Sequence, residues 1–109
     1  MGGLKLLKFL SAIQLIRDEV DPDMTLSQLM ALLTIAKDEG LSVSEVQRRS
    51  SLTQTTGSRI VRSLAGINET GKAGYNLVEM RTDPHDSRRR VIHLNGDGRE
   101  VIKNIVNQL

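Results

Sequence analysis

The chain has 109 residues, 39% of them hydrophobic and 26% charged, which suits one small globular domain with a modest core. It has no cysteine, so disulfides, thiolate zinc sites and thiol redox chemistry are excluded. The net charge of +2 is unevenly spread: Ser44–Leu94 holds nine Lys and Arg against five Asp and Glu, and the rest holds six against eight. A basic surplus in the middle of the chain is what a nucleic-acid-binding surface there would require, though a difference of a few charges is also common by chance.

The first helix is expected from Leu4 to Val20, where Leu6, Phe9, Leu10, Ile13, Ile16 and Val20 form an apolar face. Leu4, Leu7 and Leu15 widen that face beyond what packing on one side requires. Lys5 and Lys8 interrupt the run, no signal-cleavage pattern follows, and the stretch is too short and too charged to span a bilayer. The expected location is therefore the cytoplasm, with no membrane partner. Asp21-Pro22-Asp23 stops the helix.

Thr25 caps a second helix, Leu26 to about Asp38, with Leu29, Leu32, Leu33 and Ala36 as its core face, Ile35 at the margin and Gly40 as its stop. Ser44 caps a short third helix, about Glu45–Ser50, and Thr53 caps a fourth, about Gln54–Leu64. Ser51-Leu52 is the turn between them, and Val46, Leu52, Ile60, Val61 and Leu64 fix their angle. Gly57 in mid-helix costs roughly 1 kcal/mol relative to alanine. Close approach of a neighbouring helix, close approach of a DNA backbone and tolerated drift all remain open as explanations.

Gly66 to Asn76 is rich in turn residues and reads as a loop. Its Asn68-Glu69-Thr70 triplet matches a glycosylation acceptor, which carries no weight without a secretory signal. Leu77–Thr82 and Arg90–Leu94 read as a hairpin around a loop from Asp83 to Arg89, and Asn95 caps a last helix from about Gly98 with an apolar stripe at Val101, Ile102, Ile105, Val106 and Leu109. The expected fold class is therefore mostly α with a small β-hairpin, a winged helix-turn-helix.

On the fourth helix Gln54, Thr55, Ser58, Arg59 and Arg62 lie away from the packed face. Glutamine pairs with adenine and arginine with guanine in the major groove, each good bidentate pair discriminating by roughly 1–3 kcal/mol. Thr53, Thr56 and the first amides suit a phosphate at the helix N-terminus. In the wing, Arg88, Arg89 and Arg90 suit a narrow minor groove, with Asp86 orienting Arg88. A plain solvated face is the competing reading of each set; their succession, helix-turn-helix then basic hairpin, favours duplex DNA. Phe9 and Tyr75 are the only aromatic residues, too few for base-stacking single-strand modules. His85 and His93 have no second ligand at metal spacing and read as wing-tip and strand-surface residues. No nucleophile arrangement, phosphate loop or cofactor motif stands out, so no catalytic residue, metal or cofactor is expected.

The motifs Leu41-Ser-Val-Ser-Glu-Val46, Leu52-Thr-Gln-Thr-Thr-Gly-Ser-Arg-Ile-Val-Arg-Ser-Leu64, Asp83-Pro-His-Asp-Ser-Arg-Arg89 and Leu94-Asn-Gly-Asp-Gly98 make Thr25–Val101 resemble the MarR family of bacterial winged-helix transcription factors. The resemblance implies a homodimer on a pseudo-palindromic operator, usually repressing transcription. It makes Thr53–Leu64 the recognition helix, Arg88 the wing-tip arginine and Asp86 its support. It also assigns dimerisation to the terminal helices, here residues 1–22 and 96–109 flanking a DNA-binding domain of residues 23–95. Leu6, Phe9, Leu10, Ile13, Ile102, Ile105 and Leu109 are then the expected dimer contacts. Gly57, the long Gly66–Asn76 link and the absence of a full pair of long carboxy-terminal helices before Leu109 depart from the family pattern. A winged-helix replication or partition factor and a protein-interaction module remain alternatives, and no small-molecule effector is indicated.

Overall fold

In the computed structural model, which describes residues 2–66 and 74–109, the amino-terminal periodicity becomes helix α1, Gly3–Glu19, followed by α2, Leu26–Lys37. Thr25 caps α2 reciprocally: its hydroxyl accepts from the Gln28 amide at 3.1 Å and the Gln28 side chain accepts from the Thr25 amide at 2.9 Å. The core face of α2 differs from expectation. Ala31, Leu32 and Ile35 are buried, while Leu33 is 42% exposed. The helix packs on α3, α4 and β3, with Leu29 reaching the cluster formed by α1 and α5, so its buried sector is centred on Ile35 rather than Leu33.

A short strand β1, Leu41–Ser42, precedes α3, Val43–Arg49, and neither boundary is where the sequence suggested. Leu41 pairs with Ile92 and Ser42 with Val91, which makes the sheet three-stranded. Ser42, not Ser44, caps α3: its hydroxyl accepts from the Glu45 amide at 3.2 Å, and the Glu45 carboxylate accepts from the Ser42 amide at 3.2 Å. Pinning by the strand places the last extended residue at Ser42, so the helix starts two residues early. Helix α4, Gln54–Leu64, begins and ends as expected, with Thr53 as its N-cap.

The hairpin consists of β2, Val78–Asp83, and β3, Asp86–Leu94, in a sheet of order β1-β3-β2, all antiparallel. The expected seven-residue wing loop shrinks to Pro84-His85, because Asp83 and Asp86 already face each other. Arg88, Arg89 and Arg90 therefore sit on a strand, where successive side chains alternate between faces. The ends of the Gly66–Asn76 link are tied to α4: the Tyr75 amide donates to Ser63 and the Leu77 amide to Leu64, each at 2.9 Å. The rest of that link, with Asn68, lies outside the described residues. The last helix α5, Gly96–Asn107, starts two residues before Gly98 under the expected Asn95 cap, whose side chain accepts from the Gly98 amide at 2.8 Å.

Two apolar clusters result. The larger joins Ile35, Val46, Val61, Leu64, Val78 and Ile92, all at 2% exposure or less, beneath the helix-turn-helix and sheet. Each such side chain contributes about 1.5–3 kcal/mol of burial. The smaller joins Ala12 and Ile16 of α1 to Ile105 of α5. Tyr75 fastens the two regions, its hydroxyl donating to Asp21 Oδ2 at 2.7 Å. Burial, together with that bond to the Asp21 carboxylate, pushes the Tyr75 phenol up to about 12, while the Asp23 amide and the Tyr75 hydroxyl hold Asp21 below the ordinary carboxylate value.

Candidate nucleic-acid interface

Helix α4 divides cleanly. Gly57, Ile60, Val61 and Leu64 are buried, while Gln54, Thr55, Thr56 and Arg59 are exposed, and Ser58 and Arg62 lie half-buried at the margin. Arg62 is engaged by a neighbouring group rather than free. The Thr53 hydroxyl is occupied as the cap, accepting from the Thr56 amide at 3.3 Å. The amides of Gln54 and Thr55 belong to the first turn, where a helix presents N–H groups and positive potential to an anion.

The turn before α4 is sharp. Ser51 adopts φ +56°, and Leu52 is half-buried against the core, as expected of it. Gly57 has a structural reason. A Cβ there would stand 2.6 Å from Cγ and 2.8 Å from Cβ of Gln47, so the glycine admits the α3 helix rather than a DNA backbone. The helix pair is thereby drawn together at the point where the polar face of α4 begins.

The three wing arginines part company. Arg88 has 94% of its side chain exposed, with Nε 3.9 Å from Asp86 Oδ1. Asp86 does more by accepting from the Arg88 amide at 3.0 Å, which shapes the hairpin tip. Arg90 is exposed. Arg89 instead turns inward, Nη1 donating to Asp83 Oδ2 at 3.1 Å and Nη2 to Glu45. Its charge is met by carboxylates because β3 extends further than expected and carries Arg89 onto the face towards α3. His85 is exposed at the tip.

His93 is half-buried rather than a free surface residue, its Nδ1 3.8 Å from Glu39 Oε1. Glu39, which drew no attention in the sequence, gathers β3 and α5: it accepts from the Leu94 amide at 2.8 Å and from Arg99 Nη1 and Nη2 at 2.8 and 2.9 Å. Burial opposes its charge, but the Arg99 and Leu94 hydrogen bonds and the Arg99 and His93 charges outweigh it, so its carboxyl lies below the ordinary value. Arg99 stands 60 residues away in sequence, so no local pattern could have disclosed the pair. Arg48 is exposed on the last turn of α3.

Away from this surface the amino-terminal half of α1 is bare. Leu6, Phe9 and Leu10 are 56%, 61% and 62% exposed, and Leu4, Leu7, Val106 and Leu109 are exposed with them. Ile13 and Ile102 are half-buried. Ile105, expected on the same face, is buried against Ala12 and Ile16 within the subunit: three residues turn an α-helix through about 300°, so Ile105 lies about 60° round from Ile102, towards α1. Among the described residues no group of His, Asp and Glu could hold a metal ion, and no helix is long and apolar enough to cross a membrane.

No protein-family model and no curated protein matches the sequence. Solved structures do. MarR is 24% identical with a TM-score of 0.61, covering 97% of this chain and 72% of its own. The PcaV transcriptional regulator from Streptomyces coelicolor is 23% identical, TM-score 0.62, over 96% of this chain and 68% of that one. MepR of S. aureus, solved as a DNA complex, is 22% identical, TM-score 0.68, over 91% and 73%. At these identities the likeness shows the fold, a MarR-type winged helix-turn-helix.

Proposed function

We propose that this chain is a cytoplasmic, non-catalytic regulator of transcription, most simply a repressor, that binds double-stranded DNA as a homodimer. The observation that carries the reading is the pairing of an α4 whose polar face is open to solvent with a wing whose Arg88 is almost wholly exposed. Gln54, Thr55 and Arg59, with Ser58 and Arg62 at the margin, are the major-groove set. Thr56 and the first amides of α4 are the phosphate set, and Arg88 with Arg90 the minor-groove set. The fold likeness to MepR, whose structure is a complex with DNA, supports DNA as the partner.

The dimer rests on α1. Between Leu4 and Leu10 its apolar side chains cover all of the surface but the strip held by Lys5 and Lys8, and none is buried; an exposed apolar surface that broad requires cover. A second copy supplies it with Leu6, Phe9, Leu10 and Leu109 as anchors, Ile13 and Ile102 at the edge, and residues 23–95 left to face DNA. Titration of a duplex DNA pool over a range of salt, with sedimentation of the free protein, tests both parts. Steep weakening with salt and a dimeric mass that Phe9→Glu converts to monomer are expected. Salt-independent or absent binding overturns the DNA reading, and a monomeric wild type overturns the dimer.

A further inference from the structure

Arg89 lies on β3 between two arginines that face solvent, yet its guanidinium reaches back across the hairpin to two carboxylates. One is Asp83, whose side chain is only 11% exposed and whose other oxygen accepts from the His85 amide at 2.8 Å, forming the wing's turn. The other is Glu45, at 24% side-chain exposure. The Glu45 oxygen that meets Arg89 also accepts from the Ser42 hydroxyl at 3.0 Å and the Ser42 amide at 3.2 Å, so it belongs to the cap of α3. A single guanidinium thus bonds the tip of the wing to the first turn of the helix that packs on α4 through Gln47 and Gly57.

We infer that Arg89 is a positioning residue for DNA binding: it latches the wing to the helix-turn-helix, so that Arg88 and α4 reach the duplex in a fixed relation. The inference rests on the duplex-DNA reading and removes Arg89 from the groove contacts its place among the three arginines suggested. The latch works by preorganisation. The hairpin beyond the β1 pairing is a two-stranded arm, and the ordering cost of holding it is met before DNA arrives. Loss of Arg89 also leaves Asp83 and Glu45 facing each other without a cation, which drives the arm and α3 apart.

The test compares wild type, Arg89→Met, Glu45→Gln and the double variant. Glu45→Gln keeps an oxygen for the Ser42 cap while removing the charge that holds Arg89. In duplex binding across a salt series, Arg89→Met is expected to weaken affinity about tenfold, in the range of partly desolvated charge pairs. The salt slope should stay at the wild-type value, because no phosphate contact is lost. The double variant should be no worse than Arg89→Met alone. A slope reduced by about one, with additive losses, makes Arg89 a phosphate contact and overturns the latch, as does unchanged affinity. A second measurement needs no DNA. The chain lacks cysteine, so spin labels at Lys37→Cys on α2 and Ser87→Cys on the wing report their separation directly. The distance distribution should broaden in Arg89→Met; an unchanged distribution overturns the latch. Broadening in a protein that binds no duplex would sustain the latch and sink the regulator reading alone.

Discussion

Replacing Gly57 by alanine separates two opposing effects whose sizes the structure sets. On helix propensity alone the change would stabilise α4 by about 1 kcal/mol. Against this, the new methyl would lie 2.6 Å from Gln47 Cγ and 2.8 Å from Gln47 Cβ. Cγ can swing away, but Cβ is fixed to the α3 backbone, so relief requires the two helices to separate. Overpacking of that kind costs about 1–3 kcal/mol, and the net expectation is a loss of about 1 kcal/mol. For a domain of this size that lowers the melting midpoint by about 4–8 °C. Urea unfolding followed by circular dichroism, at one fixed protein concentration because dimer stability depends on it, reads the difference. Gln47→Gly moves the gap to the other helix, so the Gln47→Gly, Gly57→Ala pair should recover about 1 kcal/mol relative to the sum of the singles. Stabilisation by Gly57→Ala, or strict additivity with Gln47→Gly, would refute the close-approach argument.

Arg88→Ala should weaken duplex binding about tenfold and lower the salt slope by about one, with the unfolding midpoint unchanged because the side chain stands clear of the body. Glu39 has a folded carboxyl below its ordinary value of 4.5, so its stabilisation is present above that pH and is lost as pH falls through the folded value; urea midpoints measured down an acid series should fall less steeply in Glu39→Gln than in wild type. Tyr75 has the opposite sign. Its stabilisation is present below the ordinary phenol value of 10.0 and is lost as pH rises through about 12, and Tyr75→Phe should flatten the alkaline arm of the same profile.

What the sequence disclosed was local. The Thr53 cap, the polar–apolar division of Gln54–Leu64 and the Asn95 cap are written in neighbouring residues, and the structure reproduces them. What it concealed depends on partners far along the chain. β1 is a strand only because Leu41 meets Ile92, and that pairing is what selects Ser42 over Ser44 as the cap of α3. In the sequence Asp83–Arg89 reads as a loop because Asp86-Ser-Arg-Arg lacks apolar alternation, yet backbone pairing with β2 extends the strand through those polar residues. Arg89 follows from that extension, since a residue assigned to a loop has no defined face, while on β3 it points to Asp83 and Glu45. Leu33 and Ile35 exchange places for the same reason: periodicity gives a face, and the neighbours on both sides of α2 decide its centre.

As proposed, the polar face of α4 and the wing of two copies read duplex DNA as a symmetric pair. Selection from a random duplex library, followed by sequencing of the bound fraction, tests it most directly. An inverted repeat whose half-sites lie about one helical turn apart is the expected enriched site. Direct repeats would contradict the symmetric pair, and the absence of any enriched site, with weak retention even at low salt, would contradict the DNA reading itself.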